Sequence, residues 1–274
     1  MAEIVGGFGV PHNPHFPLWV ADGTPVAAEI ERMYAGVAGH LYEARPDVLV
    51  FFTADHYNIF FEACVPVFSI GIAESAGGAS DYPDLPRREV PIATELARHV
   101  HAATVRAGFD VGMSQEFEFD HTVIAPLRFL VPVGEIPLVP VFVNALIPPL
   151  PSAVRCHALG RAIREAILAA PEPLRVAAVA SGSFSLEIGG PRISADSHTG
   201  VPAPEWVDRV TGLLADGAVD RLVEEATEER LAHAGNAGGE LLEWIAMLGV
   251  IDARPPAFLD VQPAYGHAYA AWPA

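Results

Sequence analysis

Two apolar runs, each followed closely by a histidine, decide the reading of this chain: Ile4-Val5-Gly6-Gly7-Phe8-Gly9-Val10-Pro11-His12 and Val48-Leu49-Val50-Phe51-Phe52-Thr53-Ala54-Asp55-His56. Both runs read as strands. In an open α/β sheet, residues just beyond the strand carboxyl ends line the crevice where ligands bind. Neutral imidazole is the commonest protein metal ligand. Two such strand ends can bring His12 and His56 together although they stand far apart in sequence.

Outward from these runs, further strand-like segments cover residues 65–72, 138–143 and 176–180. Helical patterns alternate with them at 24–43, 91–107, 152–169, 204–214, 219–230 and 238–248. Thr24-Pro25 offers the first helix an N-cap and a proline at its opening position. This β-α-β alternation predicts an α/β fold with a mainly parallel or mixed central sheet flanked by helices. The C-terminal part is helix-rich and closes on a short segment, 257–264. No repeat, low-complexity tract or charge-block linker interrupts the pattern, so residues 1–274 are expected to form one domain.

Composition narrows the function classes. With 51% apolar and 18% charged residues, the chain can bury a large core. A net charge of −18 argues against nucleic acid and anionic membrane surfaces as partners. Cys64 and Cys156 make no disulfide framework and are expected to be small buried hydrophobes. Met1-Ala2-Glu3-Ile4 lacks the features of a signal peptide. The longest apolar stretch, 136–150, is broken by Pro137, Pro140, Asn144, Pro148 and Pro149 and cannot cross a bilayer as a helix. A cytoplasmic protein is the expectation.

A third metal ligand is offered by Ala234-Gly235-Asn236-Ala237-Gly238-Gly239-Glu240-Leu241. Here a glycine-rich turn, whose small residues allow close backbone approach, leads into an apolar helix with Glu240 in its first turn. The helix dipole favours a carboxylate there by about 0.3–1 kcal/mol. By local chemistry alone, Glu240 is an ordinary capping residue.

Taken together, the His12 loop, Ala54-Asp55-His56, Phe119-Asp120-His121 and the segment ending in Glu240-Leu241 resemble the class III extradiol dioxygenases. The resemblance is to the protocatechuate 4,5-dioxygenase β-subunit type. Gly71-Ile72-Ala73-Glu74, Val143-Asn144 and Arg155-Cys156-His157-Ala158-Leu159-Gly160 fit the same order, so it covers nearly the whole chain. It implies a non-haem Fe(II) ion held by His12, His56 and Glu240. Such a 2-His-1-carboxylate face leaves open positions on the metal, enough for the vicinal oxygens of a catechol and for O2. The implied reaction is ring cleavage beside the diol with both oxygen atoms incorporated. His121 is then expected to hydrogen-bond substrate or dioxygen, Asp55 to hold an imidazole tautomer, and His267 to contact substrate or back a ligand. A homo-oligomer or a small helical partner subunit is implied as well.

One departure matters. The segment Ser181-Gly182-Ser183-Phe184-Ser185-Leu186-Glu187 carries leucine where the family places its acid–base histidine. Leucine transfers no proton, and general acid–base help is typically worth about 10²–10⁴ in rate. Glu187, His198 or His121 alone could replace it, or the substrate could be an aminophenol or hydroxypyridine. The same gap keeps open a metal-dependent hydrolase, such as a zinc enzyme, and a catalytically inactive partner subunit on this fold.

Other patterns carry less. His12 and His15 form an HxxH without a nearby third ligand for zinc. Pro11 and His12 stand where a phosphate-binding helix would have to begin after Gly6-Gly7-Phe8-Gly9.

Overall fold

The two apolar runs are strands β1 (Glu3–Val10) and β2 (Val48–Thr53) in a computed structural model that describes residues 1–193, 197–251 and 254–274. The chain continues through β3 (Phe68–Gly71), β4 (Ser75–Gly78), β5 (Arg88–Pro91), β6 (Val111–Ser114), β7 (Leu138–Val143), β8 (Arg175–Ser181), β9 (Glu187–Ile188), β10 (Thr199–Gly200), β11 (Phe258–Gln262) and β12 (His267–Pro273). Its helices are α1 (His15–Ala21), α2 (Ala27–Ala44), α3 (Thr94–Arg106), α4 (His121–Leu130), α5 (Ala153–Leu168), α6 (Pro204–Ala215), α7 (Val219–Glu225), α8 (Glu228–His233) and α9 (Leu241–Val250).

Eight strands form one mixed sheet in the order β11-β12-β1-β8-β2-β7-β3-β6. Its centre, β1-β8-β2-β7, is parallel, whereas β12 and β3 run against their central neighbours. β2 and β7 are buried at every position. Helices on both faces explain why they read as unbroken apolar runs instead of alternating ones. α5 and α9 pack together on one face, and α2 and α4 cover the other. Gly160 of α5 and Gly249 of α9 lie where any side chain would strike the backbone of the opposite helix. That close crossing seats α9, whose head carries Glu240. No described helix is long and apolar enough to cross a membrane.

Several local expectations change. The helix expected from residue 24 opens at Ala27, because Thr24 Oγ1 bonds back to the Trp19 carbonyl at 3.0 Å instead of capping forward. The segment 219–230 divides into α7 and α8, and the Thr227 side chain caps the second by accepting the Arg230 amide. The closing segment 257–264 is β11, and a further buried strand, β12, follows it. Cys156 is buried as expected, but Cys64 lies exposed.

Candidate metal centre

β1 pairs with β8 so that Val10 stands opposite Ser181, and β8 pairs in parallel with β2. The His12 loop, the last residue of β8 and the loop carrying His56 therefore emerge from neighbouring strand carboxyl ends. His12 Nδ1 lies 3.1 Å from Ser181 Oγ, and that hydroxyl donates to the Thr122 carbonyl at 2.8 Å. With its proton so committed, the serine oxygen accepts from Nδ1–H. His12 Nε2 is left with a free lone pair, the arrangement by which an outer partner fixes a ligand tautomer. His56 is placed through its backbone, whose amide donates to Asp120 Oδ2 at 2.9 Å. Asp120 Oδ1 accepts the Thr122 amide at 2.9 Å as the N-cap of α4. One aspartate thus ties the start of α4 to the His56 loop.

Glu240 ends a short 3-10 turn at the head of α9. The turn packs tightly: a Cβ on Gly239 would strike the Ala145 carbonyl, and one on Gly182 would meet Glu240 itself. Glu240 Oε2 accepts the Ser183 amide at 2.7 Å. Its other oxygen, Oε1, faces His12 Nε2 at 3.2 Å and His56 Nε2 at 3.5 Å. These three converging atoms are buried and have no hydrogen-bond partner. Burying unpaired polar atoms costs free energy that a shared cation would offset. Burial alone would raise the Glu240 carboxyl, but the facing His12 and His56 imidazoles hold it well below the usual range. Burial pulls His56 down, yet Glu240, Asp120 and Asp81 outweigh it and hold the imidazole up at about 9. The pocket is built for positive charge between these groups.

His121, the first residue of α4, completes a cluster in which His12, His56 and His121 bring one ring nitrogen each within 4.8 Å of one another. Asp81 grips His121 twice, accepting its amide at 2.9 Å and meeting Nδ1 at 2.5 Å. Burial lowers the His121 pKa; the Asp81 hydrogen bond opposes this, and neighbouring His56 adds to it.

The family model described as the catalytic LigB subunit of aromatic ring-opening dioxygenase matches residues 6–269. The chain belongs to this LigB family. Similar proteins include a 2,3-dihydroxyphenylpropionate/2,3-dihydroxicinnamic acid 1,2-dioxygenase from Klebsiella pneumoniae, 28% identical, with 87% of this chain and 88% of the relative covered. The enzyme of the same description from Cupriavidus necator is also 28% identical, with 88% of each chain covered. Among solved structures, the uncharacterized protein JW3007 from Escherichia coli K12 shares the fold, with a TM-score of 0.59 at 14% identity over 98% of both chains. The expected enzyme class stands: this LigB-family chain is an aromatic ring-opening dioxygenase.

Other expected site residues in this LigB-family chain lie differently. Asp55 accepts the amides of Asn58, Ile59 and Phe60 at 3.1, 2.9 and 2.9 Å, so its carboxylate shapes the loop after His56 instead of holding an imidazole. Glu187 is buried but committed to Arg192 at 2.7 Å and to the Asn236 amide at 2.9 Å; it steadies the glycine-rich turn. His198 is exposed just before β10, and no described contact joins it to the histidine cluster. Leu186 is half-buried, and its carbonyl accepts the Ala237 amide at 3.0 Å. His267 is buried beside Phe16 and Tyr265 with Nε2 3.0 Å from Gln262 Oε1. Burial, reinforced by His12, presses its pKa down to about 3.

Sequence reading missed Asp81, Ser181 and Glu243. Glu243 lies one turn beyond Glu240, fully buried, with neither carboxylate oxygen bonded. Burial, then the charges of Glu240 and Asp120, raise its pKa well above the usual carboxylate range.

Proposed function

We propose that this chain uses Fe(II), held by His12, His56 and Glu240, to open a catechol-like ring with O2. The observation that carries the reading is the convergence of His12 Nε2, His56 Nε2 and Glu240 Oε1, all buried and all without a partner. Two imidazoles and a carboxylate suit a borderline divalent ion and leave coordination positions open. Glu240 is favoured over His121 as the third ligand because its buried Oε1 lacks a hydrogen-bond partner and faces both His12 Nε2 and His56 Nε2, whose own ring nitrogens are likewise buried and unpartnered. When bound, Fe(II) supplies adjacent sites for the vicinal ring oxygens and O2 and a path for electrons between them.

His121, beside the ligands, holds the proton of a ring hydroxyl, and Asp81 steadies the imidazole as that proton moves. With Leu186 in place of the family's histidine, His121 carries the acid–base work. Glu187 is engaged by Arg192 and His198 faces solvent. The named activity of the relatives supports a 2,3-dihydroxyphenyl ring as the reacting group. The resemblance to the β-subunit type extends the proposal to a cytoplasmic enzyme working as a homo-oligomer or with a small helical partner subunit.

The test loads the protein with Fe(II) anaerobically, then follows O2 uptake and ring-cleavage absorbance with catechols, aminophenols and hydroxypyridines. One O2 consumed per ring opened is expected, with loss of turnover in Glu240→Ala. No uptake with any of these rings, or zinc-dependent hydrolysis in its place, overturns the reading.

A further inference from the structure

A chain of aromatic contacts runs from one flank of the metal centre to the other. Beginning at His121, Tyr82 lies 6.2 Å away between ring centroids. Tyr82 meets His15 at 5.5 Å and places its hydroxyl 3.1 Å from His15 Nε2. His15 stacks on Trp19 at 5.6 Å, and Trp19 reaches Tyr265 at 5.9 Å. Tyr265 then stacks on His267 at 5.8 Å with 11° between the planes. Three separate segments supply this arc: the β4–β5 loop, α1, and the turn before β12. Tyr82, Trp19 and Tyr265 are half-buried and His15 is exposed, so the arc opens towards solvent.

Charge around the arc is one-sided. The chain contains sixteen arginines and no lysine. Among the described residues, two arginines on loops around the site are engaged elsewhere. Arg87 pairs with Glu118 at 2.8 Å, and Arg192 pairs with Glu187 at 2.7 Å. Asp81 and Asp84 flank Tyr82 in sequence and make that rim acidic. A carboxylate entering here would meet like charge, whereas a flat apolar group would meet ring faces and edges that attract it.

We propose that this arc is the subsite for the substituent on the substrate ring, and that the substrate is a catechol bearing an uncharged aryl group. The inference rests on the ring-cleavage reading above and deepens it by naming the substituent. It also sets this chain apart from relatives named for a propionate-bearing ring.

Trp19 supplies the readout, because Trp206, Trp244 and Trp272 are all buried in the core. The Fe(II)-loaded protein is titrated anaerobically with catechol, 3-phenylcatechol and 2,3-dihydroxyphenylpropionate while tryptophan fluorescence is followed. O2 uptake is then measured for each ring. The phenyl compound is expected to bind at least about tenfold more tightly than the other two, a difference of about 1.4 kcal/mol. Tyr265→Leu, read by fluorescence, and Trp19→Ala, which lacks the reporter and is read by the KM for each ring in O2 uptake, are each expected to shrink that preference at least about fivefold, within the worth of one or two aromatic contacts. Equal or tighter binding of the propionate compound by the native chain overturns the inference, and so does an unchanged preference in both variants. Catechol that is turned over without any phenyl preference overturns the inference alone. Catechol that neither binds nor consumes O2 overturns the ring-cleavage reading and this inference with it.

Discussion

Ser181 Oγ stands 3.1 Å from His12 Nδ1 and donates its own proton to the Thr122 carbonyl, so His12 presents Nε2 to Glu240. One hydroxyl at the end of β8 thereby sets the tautomer of an imidazole held just beyond the neighbouring strand.

Replacing that hydroxyl should weaken metal binding without removing a ligand. Ser181→Ala is expected to lower Fe(II) or Co(II) affinity by about 10–100-fold, the usual effect of losing an outer partner of a metal-bound histidine. Anaerobic Co(II) titration followed by visible absorbance measures it directly. Unaltered affinity would show that His12 is oriented by other contacts.

The His121–Asp81 pair offers a separable effect. Asp81→Asn keeps an acceptor for the His121 amide but loses the charge facing Nδ1. With His121 the acid–base group, kcat should fall by about 10²-fold or more while iron content stays unchanged. Iron analysis beside steady-state kinetics distinguishes the two. Loss of iron in parallel with kcat would place His121 among the ligands.

The residues legible in the sequence are those whose role follows from local pattern. β2 and β7 begin and end where their apolar runs do, because strands buried on both faces leave no polar interruption. His12 and His56 were readable because each follows such a strand. Glu240 was not distinguishable locally from a helix cap and needed the family resemblance. Asp55 illustrates the limit: it adjoins His56, yet its carboxylate closes its own loop, and the His56 amide is held by Asp120, 64 residues away. Asp81 reaches His121 across 40 residues from the β4–β5 loop. Such partners are fixed by tertiary packing and leave no periodic trace. β12 escaped notice because alanine and aromatic residues, with no β-branched run, make up most of it.

Glu243 makes the metal-free protein's stability depend on pH. Its folded pKa is raised above the ordinary carboxylate value, first by burial and then by Glu240 and Asp120. The unfolded chain releases this proton as pH rises past its ordinary value while the folded chain retains it, so stability falls with pH over that window. Glu243→Gln keeps the shape and removes the titration. Its melting temperature relative to the native chain should therefore climb from pH 4.5 to pH 7. A difference that stays constant with pH would mean that Glu243 is ionised or solvated in the folded protein.

His267 acts in the opposite direction. Burial, with a smaller contribution from His12, lowers its pKa from 6.5 to about 3, so the folded chain keeps it neutral where the unfolded chain takes up a proton. Folding stability from this group is complete above the unfolded value and is lost as pH falls below it, by at most about 1.4 kcal/mol per pH unit. His267→Gln loses the ring packing against Phe16 and Tyr265 and is expected to be less stable than the native chain at pH 7. That deficit should narrow by up to about 2 kcal/mol between pH 6.5 and pH 5, because only the native chain carries the titrating imidazole. Urea unfolding of the metal-free proteins at the two pH values measures the narrowing, and the other acids and histidines largely cancel in the difference. A constant deficit would show that the imidazole takes up its proton in the folded state. The Gln262 carboxamide could not then be holding it neutral beside His12.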